Sequence, residues 1–128
     1  MPDSVYLWIQ ACEQLKWHNK GSDTCIDTLN RLWRKNVQAR HAGGEALLDI
    51  PTVRDDMLMV SAEQWSLQKL AAVPRGHARA APQFFGPVVI LDWFERFFLL
   101  DGNTRVNFWL AHKNEGPHAV LRISERNI

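Results

Sequence analysis

The sequence lacks any apolar run long enough to cross a bilayer. Its apolar stretches, such as Pro87–Leu91 and Phe97–Leu100, fall far short of the roughly 18 residues that a membrane-spanning helix requires. It also lacks a basic N-terminal start followed by an apolar segment, which is the pattern of a signal peptide. We therefore predict a cytoplasmic protein without membrane association.

An excess of charge of one sign is also missing. Fifteen Lys and Arg residues stand against fourteen Asp and Glu residues, for a formal net charge of +1. Proteins that bind nucleic acid non-specifically usually carry a clear basic excess. The charge balance therefore gives no support to a nucleic-acid partner, although it does not exclude one.

Cysteine is scarce, with Cys12 and Cys25 as the two examples. Two cysteines are too few for a disulfide framework or, on their own, for a zinc site. Both fall on apolar faces of predicted helices, so we expect buried, reduced thiols that an antiparallel helical hairpin brings close together. The five histidines show no metal-ligand spacing, and no structural metal is expected.

What remains is an ordinary globular composition, with 46% hydrophobic and 23% charged residues in 128 positions. This length predicts a single domain, and the order of patterns predicts an α+β fold. Residues 1–42 are interpreted as a helical hairpin. Residues 45–124 are interpreted as a small mixed sheet with helices packed on it.

The predicted hairpin has a first helix capped by Asp3 or Ser4 and a second that begins at Asp23. Helical spacing of its apolar residues predicts that the hairpin docks through one face of each helix, made of Trp8, Ile9, Ile26, Leu29 and Trp33. The basic second helix allows a helix-turn-helix interpretation, and a solvated basic face is the alternative. The hairpin is also where we would expect a protein partner or a second copy of the chain to bind.

The remaining elements are predicted from strand and helix patterns. Residues 46–50 form a short strand closed by Pro51, and a capping box at Ser61–Gln64 begins a helix of about ten residues. Residues 74–82 form a basic loop that contains Arg75, His77 and Arg79. Two buried strands, at 87–91 and 96–100, form a β-hairpin. A helix then begins near residue 104, and residues 119–123 form the last strand.

The turn Asp101-Gly102-Asn103-Thr104-Arg105 is the most informative segment, because it joins a strand to a helix. A glycine there lets the backbone approach a ligand, and the N–H groups of the first helical turn favour an anion such as phosphate. Asn103 and Thr104 add polar side chains, and Arg105 adds a guanidinium suited to phosphate. The alternative is an ordinary capped helix start in which Arg105 is paired with a neighbouring carboxylate.

Other residues have weaker chemical patterns. The acidic residues Asp55, Asp92 and Asp101 are candidates for acid, base or Mg²⁺-binding roles, and turn chemistry explains Asp92 equally well. His77 and Arg79 in the basic loop are candidates for closing over a bound anion.

The order of strand, hairpin, D-G-x-x-R turn, helix and strand resembles the core of the ParB/sulfiredoxin superfamily. The resemblance covers about residues 45–124. It includes Leu48–Pro51 with Arg54, the segment Gln83–Val89 and the turn Asp101–Arg105.

The resemblance implies a nucleotide such as CTP or ATP, with Mg²⁺, whose phosphates lie on Gly102, Asn103, Thr104 and Arg105. It also implies phosphotransfer or nucleotide hydrolysis. Asn103 departs from the family in two ways: sulfiredoxins have their reactive cysteine there, and free-serine kinases of the family have histidine. Two alternatives follow, namely a non-catalytic protein-interaction module on the same fold and a ParB-like nuclease or DNA-binding protein.

Overall fold

The computed structural model describes residues 2–40, 54–75, 82, 84–93 and 95–126. Its helices are α1 (Pro2–Leu15), α2 (Cys25–Arg40), α3 (Leu67–Ala71) and α4 (Asn103–Ala111). Its strands are β1 (Leu58–Trp65), β2 (Val88–Trp93), β3 (Arg96–Asp101) and β4 (His118–Glu125). Short 3₁₀ turns at Lys16–His18 and Asp55–Met57 follow α1 and precede β1. The predicted α+β fold class is confirmed.

The four strands form one mixed sheet in the order β1-β4-β2-β3. Strands β2 and β3 form the predicted antiparallel hairpin. After β3, helix α4 returns the chain to the sheet, so β4 enters between β1 and β2. It runs parallel to β2 and antiparallel to β1.

Helices α1 and α2 cover one face of the sheet. Leu29 and Trp33 of α2 are buried against sheet residues such as Val89 and Leu91, and Trp33 meets Trp93 edge-to-face at 6.2 Å between ring centroids. The hairpin is therefore a layer of the core, because its apolar face is what buries this side of the sheet.

The predicted docking face is correct for α2 and partly wrong for α1. Trp8 and Ile26 pack against the core, as expected. Ile9, however, is 54% exposed, whereas Ala11 and Leu15 are fully buried. The buried stripe of α1 thus centres on Ala11, and the larger Ile9 lies on its flank.

Helices α3 and α4 cover part of the other face. Val106 and Trp109 of α4 pack with Leu70 of α3 against Val88 and Ile90 of the sheet. Since helices lie on both faces, the first four residues of β2 are buried without alternation. Burial on both sides was predicted for both strands of the β2–β3 hairpin. It is correct for β2 and wrong for the first half of β3, where Arg96 is exposed and Phe97 and Phe98 are half-buried.

The prediction of a helix that begins at Ser61 is wrong, because residues 58–65 form strand β1. Ser61 does not cap a helix there; its hydroxyl donates to the Glu63 carboxylate at 2.9 Å. Pairing with the whole length of β4 outweighs the local capping pattern. The helix that follows, α3, is capped by Ser66, whose hydroxyl accepts from the Lys69 N–H at 3.2 Å.

The expectation of reduced thiols is also wrong. Cys12 and Cys25 are close, as the hairpin predicted, and they form a disulfide with a Cα–Cα distance of 5.4 Å. The bond joins the last turn of α1 to the first residue of α2. Since disulfides are rare in reducing compartments, the cytoplasmic location stays a prediction.

Several predictions lie outside the described residues. They are the strand at 46–50 and most of the basic loop, including His77 and Arg79. The side chain of Asp55 lies outside them as well.

Candidate functional site

The turn between β3 and α4 is built around Gly102. Its φ of +117° lies in a region that L side chains rarely adopt. A Cβ placed on it would lie 2.4 Å from a methyl carbon of Val88 on the neighbouring strand. Glycine is therefore required here by the fold itself, because backbone conformation and packing against Val88 both exclude a side chain.

The guanidinium of Arg105 points back into the protein. One of its terminal nitrogens donates to the carbonyls of Gly86 and Pro87, at 2.8 and 2.6 Å. The other donates to the Asp101 carboxylate at 2.5 Å, and the Phe84 ring lies 5.0 Å from the guanidinium carbon. Arg105 thus ties the turn to the chain that enters β2, which is the structural arrangement left open above.

Asp101 connects this ion pair to the N-terminal hairpin. Its second carboxylate oxygen lies 2.8 Å from Nε2 of His18. Because a carboxylate only accepts hydrogen bonds, Nε2 carries the proton in this contact. The carboxylate therefore holds His18 on one side and Arg105 on the other.

The segment that carries His18 is held by α2. The Arg31 guanidinium donates to the His18 carbonyl and, at 3.1 Å, to the Asp23 carboxylate. Asp23 also accepts the Lys20 N–H at 3.1 Å. This backbone hydrogen bond, together with Arg31, lowers the pKa of Asp23 below its ordinary value. The position of His18 is thus fixed at both its backbone and its ring.

A pocket of about 360 Å³ opens at this junction. Its lining includes all five turn residues from Asp101 to Arg105, which the sequence placed in one candidate site. Trp17 and His18 line it from the N-terminal hairpin, and Phe84 lines it from the segment before β2. The side chain of Trp17 is 82% exposed and forms an aromatic wall open to solvent.

Helix α4 begins in this pocket. Its first internal hydrogen bond runs from the Val106 N–H to the Gly102 carbonyl at 2.9 Å. The N–H groups of Thr104 and Arg105 precede it and have no acceptor within the helix. Gly102 provides no side-chain cap, and the first turn has no acidic residue. The arrangement gives an anion backbone donors and the positive end of a helix dipole.

Asp92, the other acidic candidate on the sheet, lies away from this pocket. Asp92 pairs with Phe97 on β3, four positions, or about 13 Å at the rise of a β-strand, from Asp101. Its carboxylate lies 3.3 Å from the Arg122 guanidinium, which also pairs with Glu63 at 2.8 Å. In the described residues no three His, Cys, Asp or Glu side chains are grouped to hold a metal ion.

Sequence patterns did not identify His18 or Trp17 as pocket residues. His18 lies 83 positions before its partner Asp101, and no local motif links them. The only hint is that the loop following α1 has two aromatic rings next to basic residues.

Comparisons with protein-family models, curated proteins and solved structures find no match. The resemblance to the ParB/sulfiredoxin superfamily therefore stays a prediction. No helix in the described ranges is long and apolar enough to span a membrane.

Proposed function

We propose that this protein binds a phosphate-bearing ligand, of which a nucleotide such as CTP or ATP is the leading example, in the pocket at the start of α4. The observation that carries the proposal is the helix N-terminus itself, which opens into a pocket without a side-chain cap from Gly102. The resemblance of the D-G-x-x-R turn to phosphate-binding turns supports the same choice of ligand.

The contacts of Arg105 limit which groups in the pocket can donate hydrogen bonds to such a ligand. Because its terminal nitrogens already donate to Gly86, Pro87 and Asp101, the proposed phosphate donors are backbone N–H groups and the Thr104 hydroxyl. Arg105 becomes a positioning residue. Both oxygens of Asp101 are likewise bonded, so the proposal is binding, without a catalytic role for this carboxylate.

The test is a thermal-shift and calorimetric titration of the protein with CTP, ATP, GTP and ADP, each with and without Mg²⁺. A ligand that binds only the native state raises its stability by mass action. We expect at least one of these ligands to raise Tm in a saturable way. If none of these ligands raises Tm at concentrations up to about 5 mM, the proposal is contradicted. That concentration is about a hundred times a Kd of 50 µM, so a ligand of this affinity would give a clear shift.

Asn103→Asp gives a sharper version of this experiment. A carboxylate in the first turn favours the helix dipole but repels a phosphate in the pocket. We expect the variant to fold and to lose binding. Asn107→Asp is the matched control, since it adds the same charge one turn later on α4, where Asn107 accepts from Arg75 at 2.8 Å. Equal effects of both variants would argue against this binding position.

A non-catalytic interaction module is the second candidate, and one observation favours it. The outer side of α1 exposes three large apolar residues, Val5, Tyr6 and Ile9. We expect Ile9→Glu to abolish any concentration-dependent self-association measured by light scattering after size-exclusion chromatography. A chain that stays monomeric at millimolar concentration, and is unchanged by Ile9→Glu, would remove support for self-association through this surface.

A further inference from the structure

The pocket is lined by three side chains that carry or can carry charge, namely His18, Asp101 and Arg105. Asp101 and Arg105 are joined by a 2.5 Å ion pair, so their opposite charges cancel at the site. Among the described lining residues, the net charge is therefore set by His18. It is zero when the imidazole is neutral and +1 when the imidazole is protonated.

Two other cations near His18, Arg31 and Lys16, are also paired. Arg31 contacts the backbone of His18 and is bonded to Asp23 at 3.1 Å. Lys16, in the same 3₁₀ turn, is bonded to Glu13 at 2.8 Å. Because each of these cations has its own carboxylate, protonation of His18 is the charge change that an anion in the pocket would experience most directly.

We infer that His18, contributed by the N-terminal hairpin, is a ligand-binding residue that makes anion binding in this pocket depend on pH. The inference rests on the proposed function, since it assumes that the pocket takes an anion. Asp101 accepts from Nε2 and orients the ring. Protonation adds a donor at Nδ1, and the imidazolium adds the positive charge that the Asp101–Arg105 pair does not provide.

The expected effect follows from general histidine chemistry. Histidine side chains change charge between about pH 5 and 8. A hydrogen bond that involves an ionised group changes affinity by roughly ten- to a hundred-fold, and the partial exposure of this pocket places the effect near the lower end. Affinity should therefore be about tenfold lower at pH 8.0 than at pH 5.5.

Inorganic sulfate is the appropriate probe, because it stays a dianion over this pH range whereas phosphate titrates within it. Sulfate binding would be measured by NMR chemical-shift titration at pH 5.5, 6.5 and 8.0, at constant ionic strength. We expect the weakest binding at pH 8.0 in the wild type. His18→Gln should bind as weakly as the wild type does at pH 8.0, at every pH.

His112→Gln is the matched control. His112 lies at the other end of α4, where it is exposed and packs against the Phe108 ring, so its removal should leave the pH dependence intact. Loss of the pH dependence in both variants would overturn the inference.

The wild type gives an independent readout that does not depend on how well the variant folds. A bound anion favours the protonated ring, so saturating sulfate should raise the pH midpoint of the His18 ring resonances and leave that of His112 unchanged. An unchanged His18 midpoint, or a pH profile that His18→Gln retains, would overturn the inference while leaving the proposed function standing. Failure of both sulfate and nucleotides to bind at any pH would overturn both.

Discussion

The carboxylate of Asp101 and the guanidinium of Arg105 lie one helical turn apart and are joined by a 2.5 Å hydrogen bond across the start of α4. Arg105 is only 5% exposed. An arginine in this position stabilises the fold whether or not a ligand binds beside it. The D-G-x-x-R pattern therefore has a physical basis in the fold, separate from any contact with phosphate.

The first prediction concerns this ion pair. Arg105→Ala leaves one oxygen of the Asp101 carboxylate and the carbonyls of Gly86 and Pro87 without their donor. Breaking a buried pair from one side costs about 3–5 kcal/mol, and we expect a loss of that size in urea unfolding. Arg105→Lys should recover only part of it, because an ammonium lacks the planar fork. An arginine that served ligand binding alone would leave the free energy of unfolding nearly unchanged.

The second prediction compares two glycines. Gly102→Ala forces a side chain into a positive-φ conformation and against Val88, and we expect a loss of about 2–5 kcal/mol from strain and overpacking together. Gly21 also has positive φ, but a Cβ there meets nothing within 4 Å. Gly21→Ala should therefore cost about 1–2 kcal/mol. Equal losses in chemical denaturation would show that the Val88 contact is unimportant.

The third prediction compares two tryptophans of the N-terminal hairpin. Trp33 is 1% exposed and contacts Trp93 and Phe98, so Trp33→Ala should cost about 3–5 kcal/mol. Trp17 is largely exposed, and Trp17→Ala should change the free energy of unfolding by less than about 0.5 kcal/mol. A loss under 1 kcal/mol for Trp33→Ala would mean that the hairpin is not part of the core.

The fourth prediction concerns the disulfide. Cys12 and Cys25 are 13 positions apart, and closing a loop of this length stabilises a protein by about 3 kcal/mol in the chain-entropy treatment. We expect Cys12→Ser with Cys25→Ser to lose a comparable amount. Thiol titration of the unfolded, unreduced protein should find no reactive cysteine. Two thiols per chain would instead support the prediction of a reduced pair.

The fifth prediction is a pH dependence. Burial raises the pKa of Glu63, but hydrogen bonds from Trp65 and Ser61 act against it. The charges of Arg122 and Lys69 act in the same direction, and the pKa of Glu63 is lowered below its ordinary value of 4.5.

A lowered carboxyl pKa stabilises the folded state above the unfolded pKa, and this contribution is lost as the pH falls through the folded pKa. The stability difference between the wild type and Glu63→Gln should therefore be constant above about pH 5.5 and shrink below pH 4.5. Gln68→Glu would serve as a control for added charge on the neighbouring, exposed surface. A difference that does not vary with pH would contradict this ionic role.

The local sequence pattern was sufficient to predict the parts of the structure that depend on contacts between residues close together in the chain. The β2–β3 hairpin follows from two apolar runs with Asp92 and Glu95 between them, and α4 follows from a glycine turn before helical residues. The juxtaposition of Cys12 and Cys25 follows from two short helices joined by a tight loop. In each case the deciding contacts lie within about twenty residues of one another, so the sequence pattern alone carries the information.

The tertiary structure decided the features that depend on contacts between residues far apart in the sequence. Residues 58–65 have a capping pattern for a helix but form a strand, because β4 offers a full antiparallel ladder that starts 53 positions further on in the chain. Ile9 faces solvent because the face of α1 that packs against the sheet is the one that contains Ala11. The sequence determined that Asp101 to Arg105 would be a turn with polar groups at a helix start. Only the packing of the hairpin on the sheet brought His18 to that turn, since a contact over 83 positions leaves no trace in local spacing.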